Sequence, residues 1–225
     1  MTRARRTPLN GLGIGLATLS AFMAAFVAAV STADARTVAS ARSGPAPASA
    51  AARQVTDWVI ASGDDHGLPF IIVDKVTAEV FVFQADGRLV ESTPALLGQA
   101  RGDDSAPGIG ERKLSAILPA ERTTPAGRFV ASVGNDLGEK NILWVDYASA
   151  ISLHRVITTN PKERRLQRLA TATPLDNRIS YGCINVPAEF FDRVVLSVFS
   201  GKGGIVYVLP EVRSLSSAIP GYEAR

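Results

Sequence analysis

Cys183 is the residue whose chemistry stands out in this chain. It is the only cysteine among 225 residues, and it lies in the run Ser180-Tyr181-Gly182-Cys183-Ile184-Asn185. A structural cysteine in an exported protein usually has a disulfide partner, and this sequence offers none. Three interpretations stay open on the residues alone: an inert buried thiol, an intermolecular disulfide, or a reactive nucleophile.

A nucleophilic thiol needs a group that withdraws its proton, and a histidine is the usual one. His154 lies in Ser152-Leu153-His154-Arg155-Val156, near the end of an apolar run that predicts a strand. A strand end would hold this side chain rigidly, which suits a base for Cys183. A lone histidine is more often a satisfied polar residue, so both interpretations stay open. His66, in Asp64-Asp65-His66-Gly67, has a turn composition and is interpreted as structural or exposed to solvent.

Gly182 lets the backbone approach closely beside the cysteine. The N–H groups of Tyr181, Gly182 and Cys183 could then converge into an oxyanion hole. The alternative is a tight turn that packs a small apolar side chain. One cysteine and two scattered histidines form no metal-ligand cluster, so we expect neither a metal site nor a cofactor. Trp144 and Tyr147 are interpreted as packing residues.

Most of the elements that must position these residues read as strands. β-branched and aromatic runs predict them at Phe70–Asp74, Ala78–Gln84, Arg88–Ser92, Arg128–Val133, Ile142–Val145, Ala150–Val156 and Ile205–Leu209. Helices are predicted around Val55–Ala61, at Lys162–Ala170 and after Pro187. The prediction is therefore a mainly β fold with one or two short helices.

The ends of the chain divide it into regions. Residues 1–35 read as a signal peptide or N-terminal anchor, with a basic start, an apolar stretch and the Ala33-Asp34-Ala35 cleavage pattern. Residues 36–54 are rich in Ala, Pro and Ser and predict a linker. Residues 55–210 have the length and apolar content of one domain, and 211–225 read as a loosely packed tail. We therefore expect an exported protein of the periplasm or cell envelope, and a membrane contact through an uncleaved leader alone.

The charge balance argues against nucleic acid as a partner. The whole chain carries 24 basic and 21 acidic residues, a net charge of +3. Removing residues 1–35 leaves 21 basic against 20 acidic residues. A near-neutral domain lacks the overall charge that attracts a polyanion.

The residues around Cys183 resemble a known family. The run Ser180 to Asn185 is similar to the Ser/Thr-His-Gly-Cys-hydrophobic-Asn/Arg signature of L,D-transpeptidase (YkuD-type) catalytic domains. Thr124-Pro125-Ala126-Gly127-Arg128-Phe129 resembles the family's Thr-Pro-x-Gly-x-Phe segment, and His154 precedes the cysteine as the family's base does. The resemblance covers roughly residues 68 to 210, and it implies a β-sandwich-like domain.

The resemblance also implies an activity on peptidoglycan stem peptides. Cys183 would attack the carbonyl of the third stem residue, release D-alanine and leave a thioester. An acceptor amine would then give a 3→3 cross-link or an attached protein, and water would give a carboxypeptidase product. His154 would be the general acid/base, and Tyr181 and Gly182 would supply the backbone oxyanion hole. Carbapenem-type inhibitors would acylate the cysteine.

Four further residues are candidates for contacts with the substrate under this resemblance. Arg155 or Arg178 could meet a stem carboxylate, although an arginine in such a position is more often an ordinary surface residue. Ser180 and Asn185 belong to the cysteine motif itself.

The chain departs from the family at two places. Tyr181 occupies the position of the family's histidine, and its hydroxyl, with a pKa of about 10, is a poor base. A catalytically silent peptidoglycan-binding relative is therefore the main alternative. The segment between His154 and Ser180 is also longer than usual, and we predict that Lys162–Ala170 forms a lid or rim over the cleft. A cell-wall cysteine endopeptidase fits less well, since those enzymes generally place the cysteine before the histidine.

Overall fold

The computed structural model describes residues 48–136 and 138–223, so the predicted leader, residues 1–35, and most of the predicted linker lie outside it. The described part is mainly β, with a few short helices. The strands are β1 Phe70–Asp74, β2 Glu79–Phe83, β3 Leu89–Pro94, β4 Leu97–Gly98, β5 Gly127–Asp136, β6 Glu139–Asp146, β7 Ile151–Arg155, β8 Arg178–Ser180, β9 Ile184–Val186 and β10 Gly204–Val208. The helices are α1 Ala50–Ser62, α2 Arg165–Ala170, α3 Ala188–Phe190, α4 Leu196–Phe199 and α5 Leu215–Ala218, with a π-helical turn, Phe191–Val195, between α3 and α4.

Eight strands form one sheet in the order β3-β2-β1-β10-β5-β6-β7-β9, and β4 and β8 form a separate pair. The pairs β1–β10 and β7–β9 are parallel, and the other pairs of the large sheet are antiparallel. β7 and β9 carry the two candidate catalytic residues at or next to their ends.

One face of the sheet forms the main hydrophobic core. Side chains from both ends of the strand order meet there, together with the helical segment 188–199 that follows Pro187. Strand alternation turns every second residue to this face. The cluster includes Ile71, Val73, Val80, Leu143, Leu153, Ile184, Val186, Phe191, Phe199 and Val206, all buried.

The other face of the sheet carries a second hydrophobic core at one end and the candidate site at the other. At the β1, β2 and β10 end, α1 buries Val55, Trp58 and Val59 against the sheet in a second core. This core also holds Ile219 and Tyr222. At the β6, β7 and β9 end, the same face carries the polar side chains of the candidate site.

The strand predictions are confirmed in outline, with boundaries that differ by a few residues. The very short strands β4, β8 and β9 were not predicted, since two or three residues show no periodic pattern. α1 begins at Ala50 rather than near Val55, because Ser49 caps it by accepting a hydrogen bond from the Ala52 N–H. The end of the chain is better packed than the loose tail that was expected, since the segment after α5 contributes to the second core.

None of the helices in the described residues is long and apolar enough to cross a membrane.

Candidate active site

The pairing of β7 with β9 brings the candidate acid/base and the cysteine loop together. His154 lies opposite Asn185, two residues after Cys183. Ser152 lies two residues before His154 on β7, so both side chains point to the same face of the sheet. His154, Cys183, Ser152 and Asn185 therefore form one cluster.

Cys183 is partly buried in this cluster. Its Sγ lies 3.6 Å from Ser152 Oγ and 3.7 Å from the carbonyl oxygen of Ala150. Burial raises the pKa of the thiol, but the hydrogen bond and charge of His154 and the hydrogen bonds from Ser152 outweigh it, so the pKa is lowered from its ordinary value. A lowered thiol pKa increases the thiolate fraction near neutrality, as a nucleophile requires.

The hydrogen bonds of His154 define which ring nitrogen is the base. Nδ1 lies 2.7 Å from the carbonyl oxygen of Arg155. A carbonyl can only accept, so Nδ1 carries a proton and Nε2 is the basic nitrogen of the neutral ring. The family resemblance implies a backbone carbonyl rather than a carboxylate as the partner of this histidine, and the geometry agrees with it.

 The base is thus oriented by main chain, a partner that does not change its charge with pH.

Asn185 connects His154 with the cysteine loop through hydrogen bonds. Its Nδ2 lies 3.3 Å from the Cys183 carbonyl oxygen and 3.3 Å from His154 Nε2, and its Oδ1 accepts from Arg165 Nη1 at 2.7 Å. Because a guanidinium only donates and a carbonyl only accepts, these partners fix the orientation of the amide. The Nδ2 group is then the donor toward Nε2.

The cysteine loop is a tight turn, and its backbone conformation and close contacts at position 182 require glycine. Gly182 has φ +132°, and a Cβ there would lie 2.7 Å from Ile151 Cδ1 and 2.8 Å from the Thr123 carbonyl oxygen. Ser180 is buried, donates to the Cys183 carbonyl at 2.6 Å and accepts from the Gly182 N–H at 3.1 Å. The Gly182 N–H is therefore bonded within the turn, and Ser180 shapes the loop.

Thr124 braces this loop from the segment that resembles the family's Thr-Pro-x-Gly motif. Its hydroxyl donates to the Gly182 carbonyl at 2.7 Å and accepts from the Gly98 N–H at 2.8 Å. The Thr124 side chain is fully buried. Without the Thr124 hydroxyl, both main-chain groups would lose a buried hydrogen-bond partner. The hydroxyl therefore fixes the position of the cysteine loop relative to Gly98.

A buried ion network holds Thr124 in turn. Lys75 Nζ donates to the Thr124 carbonyl at 2.9 Å and to Asp103 Oδ1 at 2.8 Å, with both charged side chains almost completely buried. Asp103 also accepts from the N–H groups of residues 211–213. Burial raises the pKa of Asp103, but the bonds from Lys75 and these N–H groups lower it to about 2.

The Tyr181 ring packs against the side chain of Arg122. The guanidinium carbon of Arg122 lies 3.9 Å from the ring centroid, a cation–π contact. Arg122 is held by Gln99 Oε1 at 3.0 Å and by the Ile117 carbonyl. The position that is a histidine in the family is thus packed against the long loop 99–124.

The segment predicted as a lid or rim lies beside the site. It forms a 3-10 turn, Pro161–Glu163, followed by α2, and Arg165 connects it to Asn185. It borders a cavity of about 340 Å³ lined by Thr158, Asn160, Pro161, Arg164, Arg165, Leu166 and Gln167. The contact with Asn185 supports the rim position, and the lid stays a prediction.

The two arginines predicted to meet a stem carboxylate each bond to a carboxylate of the protein. Arg178 donates to both oxygens of Glu211, at 3.1 and 2.8 Å, and to the Lys75 carbonyl. Arg155 Nε donates to Asp192 at 2.8 Å, and its guanidinium lies over the Phe191 ring. A contact of either arginine with a substrate stays a prediction, whereas Ser180 and Asn185 lie at the cysteine as supports.

Sequence reasoning missed Ser152, Arg122 and Arg165 as parts of the site. Ser152 could have been found, because a residue two positions from His154 on a strand shares its face. The two arginines could not, since their contacts depend on how long loops fold back.

Similarity to known proteins is found in the structure and not in the sequence. No family model matches the chain, and no curated protein matches it. Solved structures similar to it include an L,D-transpeptidase from Xylanimonas cellulosilytica, at 17% identity and a TM-score of 0.40 over 63% of this chain and 60% of that one. Another is the helical cell shape determining protein Pgp2 from Campylobacter jejuni, at 14% identity and a TM-score of 0.39 over 70% and 56%.

A third is an L,D-transpeptidase in complex with imipenem, at 15% identity and a TM-score of 0.36 over 63% of this chain and 58% of that one. Two of these three structural neighbours are L,D-transpeptidases. The chain spans less than two thirds of the length of these three proteins.

Proposed function

We propose that this protein is an L,D-transpeptidase-type cysteine acyltransferase that acts on peptidoglycan stem peptides in the cell envelope. The observation that carries the proposal is the pairing of β7 with β9, which places His154 beside the Cys183 loop, where it lowers the pKa of the thiol. The cysteine motif and the Thr124 segment, which resemble those of the family, support the choice of substrate. Both segments meet at the Thr124–Gly182 hydrogen bond.

The first half-reaction transfers the acyl group to sulfur. His154 Nε2 gives up its 3.3 Å hydrogen bond from Asn185 Nδ2 and takes the thiol proton, and Cys183 Sγ attacks the carbonyl carbon of the third stem residue. The backbone N–H groups of Tyr181 and Cys183 are proposed to stabilise the oxyanion, because the Gly182 N–H is bonded to Ser180. The C–N bond then breaks, the D-alanine amine leaves with the proton from Nε2, and a thioester remains.

The second half-reaction releases the enzyme. An acceptor amine attacks the thioester carbonyl, and Nε2 takes one of its protons. The C–S bond breaks, and the thiolate regains a proton from the imidazolium. With a second stem peptide as acceptor the product is a 3→3 cross-link, and with water the product is a trimmed stem.

Mass spectrometry of the full chain tests this proposal. Incubation with imipenem should add the mass of the inhibitor to a peptide that contains Cys183, and incubation with a disaccharide-tetrapeptide should release D-alanine. Cys183→Ala should abolish both results, and His154→Gln should reduce D-alanine release at least 100-fold. Val212→Ala, at a 74% exposed position, is the matched control and should behave as the unmodified chain does.

The silent peptidoglycan-binding relative predicts a different outcome. In that case neither an adduct nor D-alanine would appear, while purified cell wall would still retain the protein. That combination would reject the proposed enzyme.

A further inference from the structure

Tyr147 and Trp144 form an exposed aromatic pair beside the candidate active site. Their ring centroids lie 4.9 Å apart with an angle of 22° between the planes, an offset stack. Tyr147 is 61% exposed. The sequence interpretation of both as packing residues therefore holds for Trp144 alone, because a ring as exposed as Tyr147 buries little area.

The pair is held rigidly on the sheet. Gly134 lets the indole lie against the backbone, since a Cβ there would be 2.9 Å from Trp144 Cδ1. The Trp144 Nε1–H bonds to the Asn135 carbonyl at 3.4 Å, and the Tyr147 hydroxyl lies 3.2 Å from Ser132 Oγ. A preorganised flat ring costs little entropy when it binds a ligand.

Sheet register places the pair on the same face as the reacting residues. Trp144 lies directly opposite Ser152 in the β6–β7 pairing, and Ser132 lies opposite Trp144 in the β5–β6 pairing. Neighbouring strands are about 4.8 Å apart, so Trp144 begins one strand away from the Ser152–Cys183 contact. The turn that carries Tyr147 also ends at Ala150, whose carbonyl lies 3.7 Å from Cys183 Sγ.

We propose that Tyr147, supported by Trp144 and Ser132, is a saccharide subsite that binds an N-acetylhexosamine ring of the glycan strand. A pyranose presents an apolar C–H face that packs on a flat aromatic ring, and its hydroxyl and acetamido groups can bond to the hydroxyls at the ring edge. A stem peptide is attached to such a sugar. Three extended residues span about 10 Å, which matches a subsite one to two strands from the sulfur. The inference rests on the proposed function for this last step.

Binding of a peptide-free sugar tests the subsite independently of turnover. The probe is the N-acetylglucosamine tetramer, titrated into the full chain by calorimetry. Tyr147→Ala should weaken binding at least tenfold, whereas Tyr147→Phe, which keeps the ring, should weaken it no more than threefold. Leu118→Ala, at an exposed position of the long loop, should leave the affinity unchanged. Circular dichroism confirms that each variant is folded.

Kinetics then connect the subsite with the reaction. The KM for a disaccharide-tetrapeptide, divided by the KM for the sugar-free tetrapeptide, should rise about tenfold in Tyr147→Ala. No binding of the tetramer to the unmodified chain, or equal affinity in Tyr147→Ala, would overturn the subsite. Tetramer binding that depends on Tyr147, in a chain that releases no D-alanine, would reject the proposed function and leave the subsite standing.

Discussion

The guanidinium of Arg122 lies over the ring of Tyr181 at 3.9 Å, and this contact joins the long loop 99–124 to the cysteine loop. Tyr181 immediately precedes the glycine turn that presents Cys183. The tyrosine therefore has a packing role at the position where the family that the motif resembles carries a histidine. This role is compatible with the proposed activity, because His154 is the proposed base.

The first prediction distinguishes the contribution of the Tyr181 ring from that of its hydroxyl. Tyr181→Phe keeps the surface under Arg122 and should retain kcat/KM for the disaccharide-tetrapeptide within about twofold. Tyr181→Ala removes the cation–π contact, worth about 1 kcal/mol at a partly exposed site, and should lower kcat/KM about fivefold or more. Equal losses in the two variants would assign a chemical role to the hydroxyl instead.

The second prediction concerns the pH dependence of the thiol. His154 lowers the pKa of Cys183 against the effect of burial. Without the histidine, burial remains, and the thiolate should form only at a higher pH. The rate of alkylation by iodoacetamide, followed from pH 5 to pH 10, should therefore show a midpoint at higher pH in His154→Gln than in the unmodified chain. An unchanged midpoint would mean that His154 does not set the thiol pKa.

The third prediction tests the brace of the cysteine loop. Thr124→Val leaves the buried Gly182 carbonyl and Gly98 N–H without their partner, which costs about 1–3 kcal/mol for each group. The variant should lose stability in urea denaturation and also lower kcat. Thr124→Ser keeps the hydroxyl and is the matched control. A full loss in both variants would show that the methyl group matters and the hydrogen bonds do not.

The fourth prediction concerns stability at low pH. The pKa of Asp103 is about 2 in the folded protein, below the value of about 3.9 of an unperturbed aspartate. A depressed folded pKa stabilises the protein above the unfolded pKa, and this contribution is lost as the pH falls from about 4 to 2. This contribution amounts to about 2–3 kcal/mol.

Asp103→Asn should therefore lower the free energy of unfolding at pH 7, measured by urea denaturation, by about 3 kcal/mol, because it leaves the buried Lys75 ammonium without its nearest carboxylate. The difference between the two proteins should shrink between pH 4 and pH 2. A difference that stays constant over this range would contradict the role given to the Asp103 charge.

The fifth prediction assigns a positioning role to Arg165. Its bond to Asn185 Oδ1 orients the amide that reaches the Cys183 carbonyl and His154. Arg165→Met should lower kcat about tenfold and shift the pH profile of kcat, with little change in KM. Arg164→Met is the matched control on the same segment, since Arg164 bonds to Gln167. Equal effects of the two substitutions would point to general loosening of the segment.

The candidate chemistry could be predicted from sequence because it lies in short contiguous runs. Cys183, Gly182 and Ser180 are neighbours in the chain, and the apolar alternation around His154 predicts its strand. The long loop 99–124 shows no hydrophobic periodicity, so the contact of its Arg122 with Tyr181 could not be predicted from the sequence. Arg155 and Arg178 were chosen for their charge, but charge alone does not show which carboxylate an arginine meets.

The sequence by itself determined a mainly β domain, and it singled out one cysteine, preceded by glycine and by an upstream histidine, as the candidate reacting group. Tertiary structure decided which groups surround it. The parallel pairing of β7 with β9 places Asn185 opposite His154, and a fold-back of 58 residues brings Thr124 to Gly182. Such contacts depend on the register of distant strands and on buried hydrogen bonds, which no local pattern encodes.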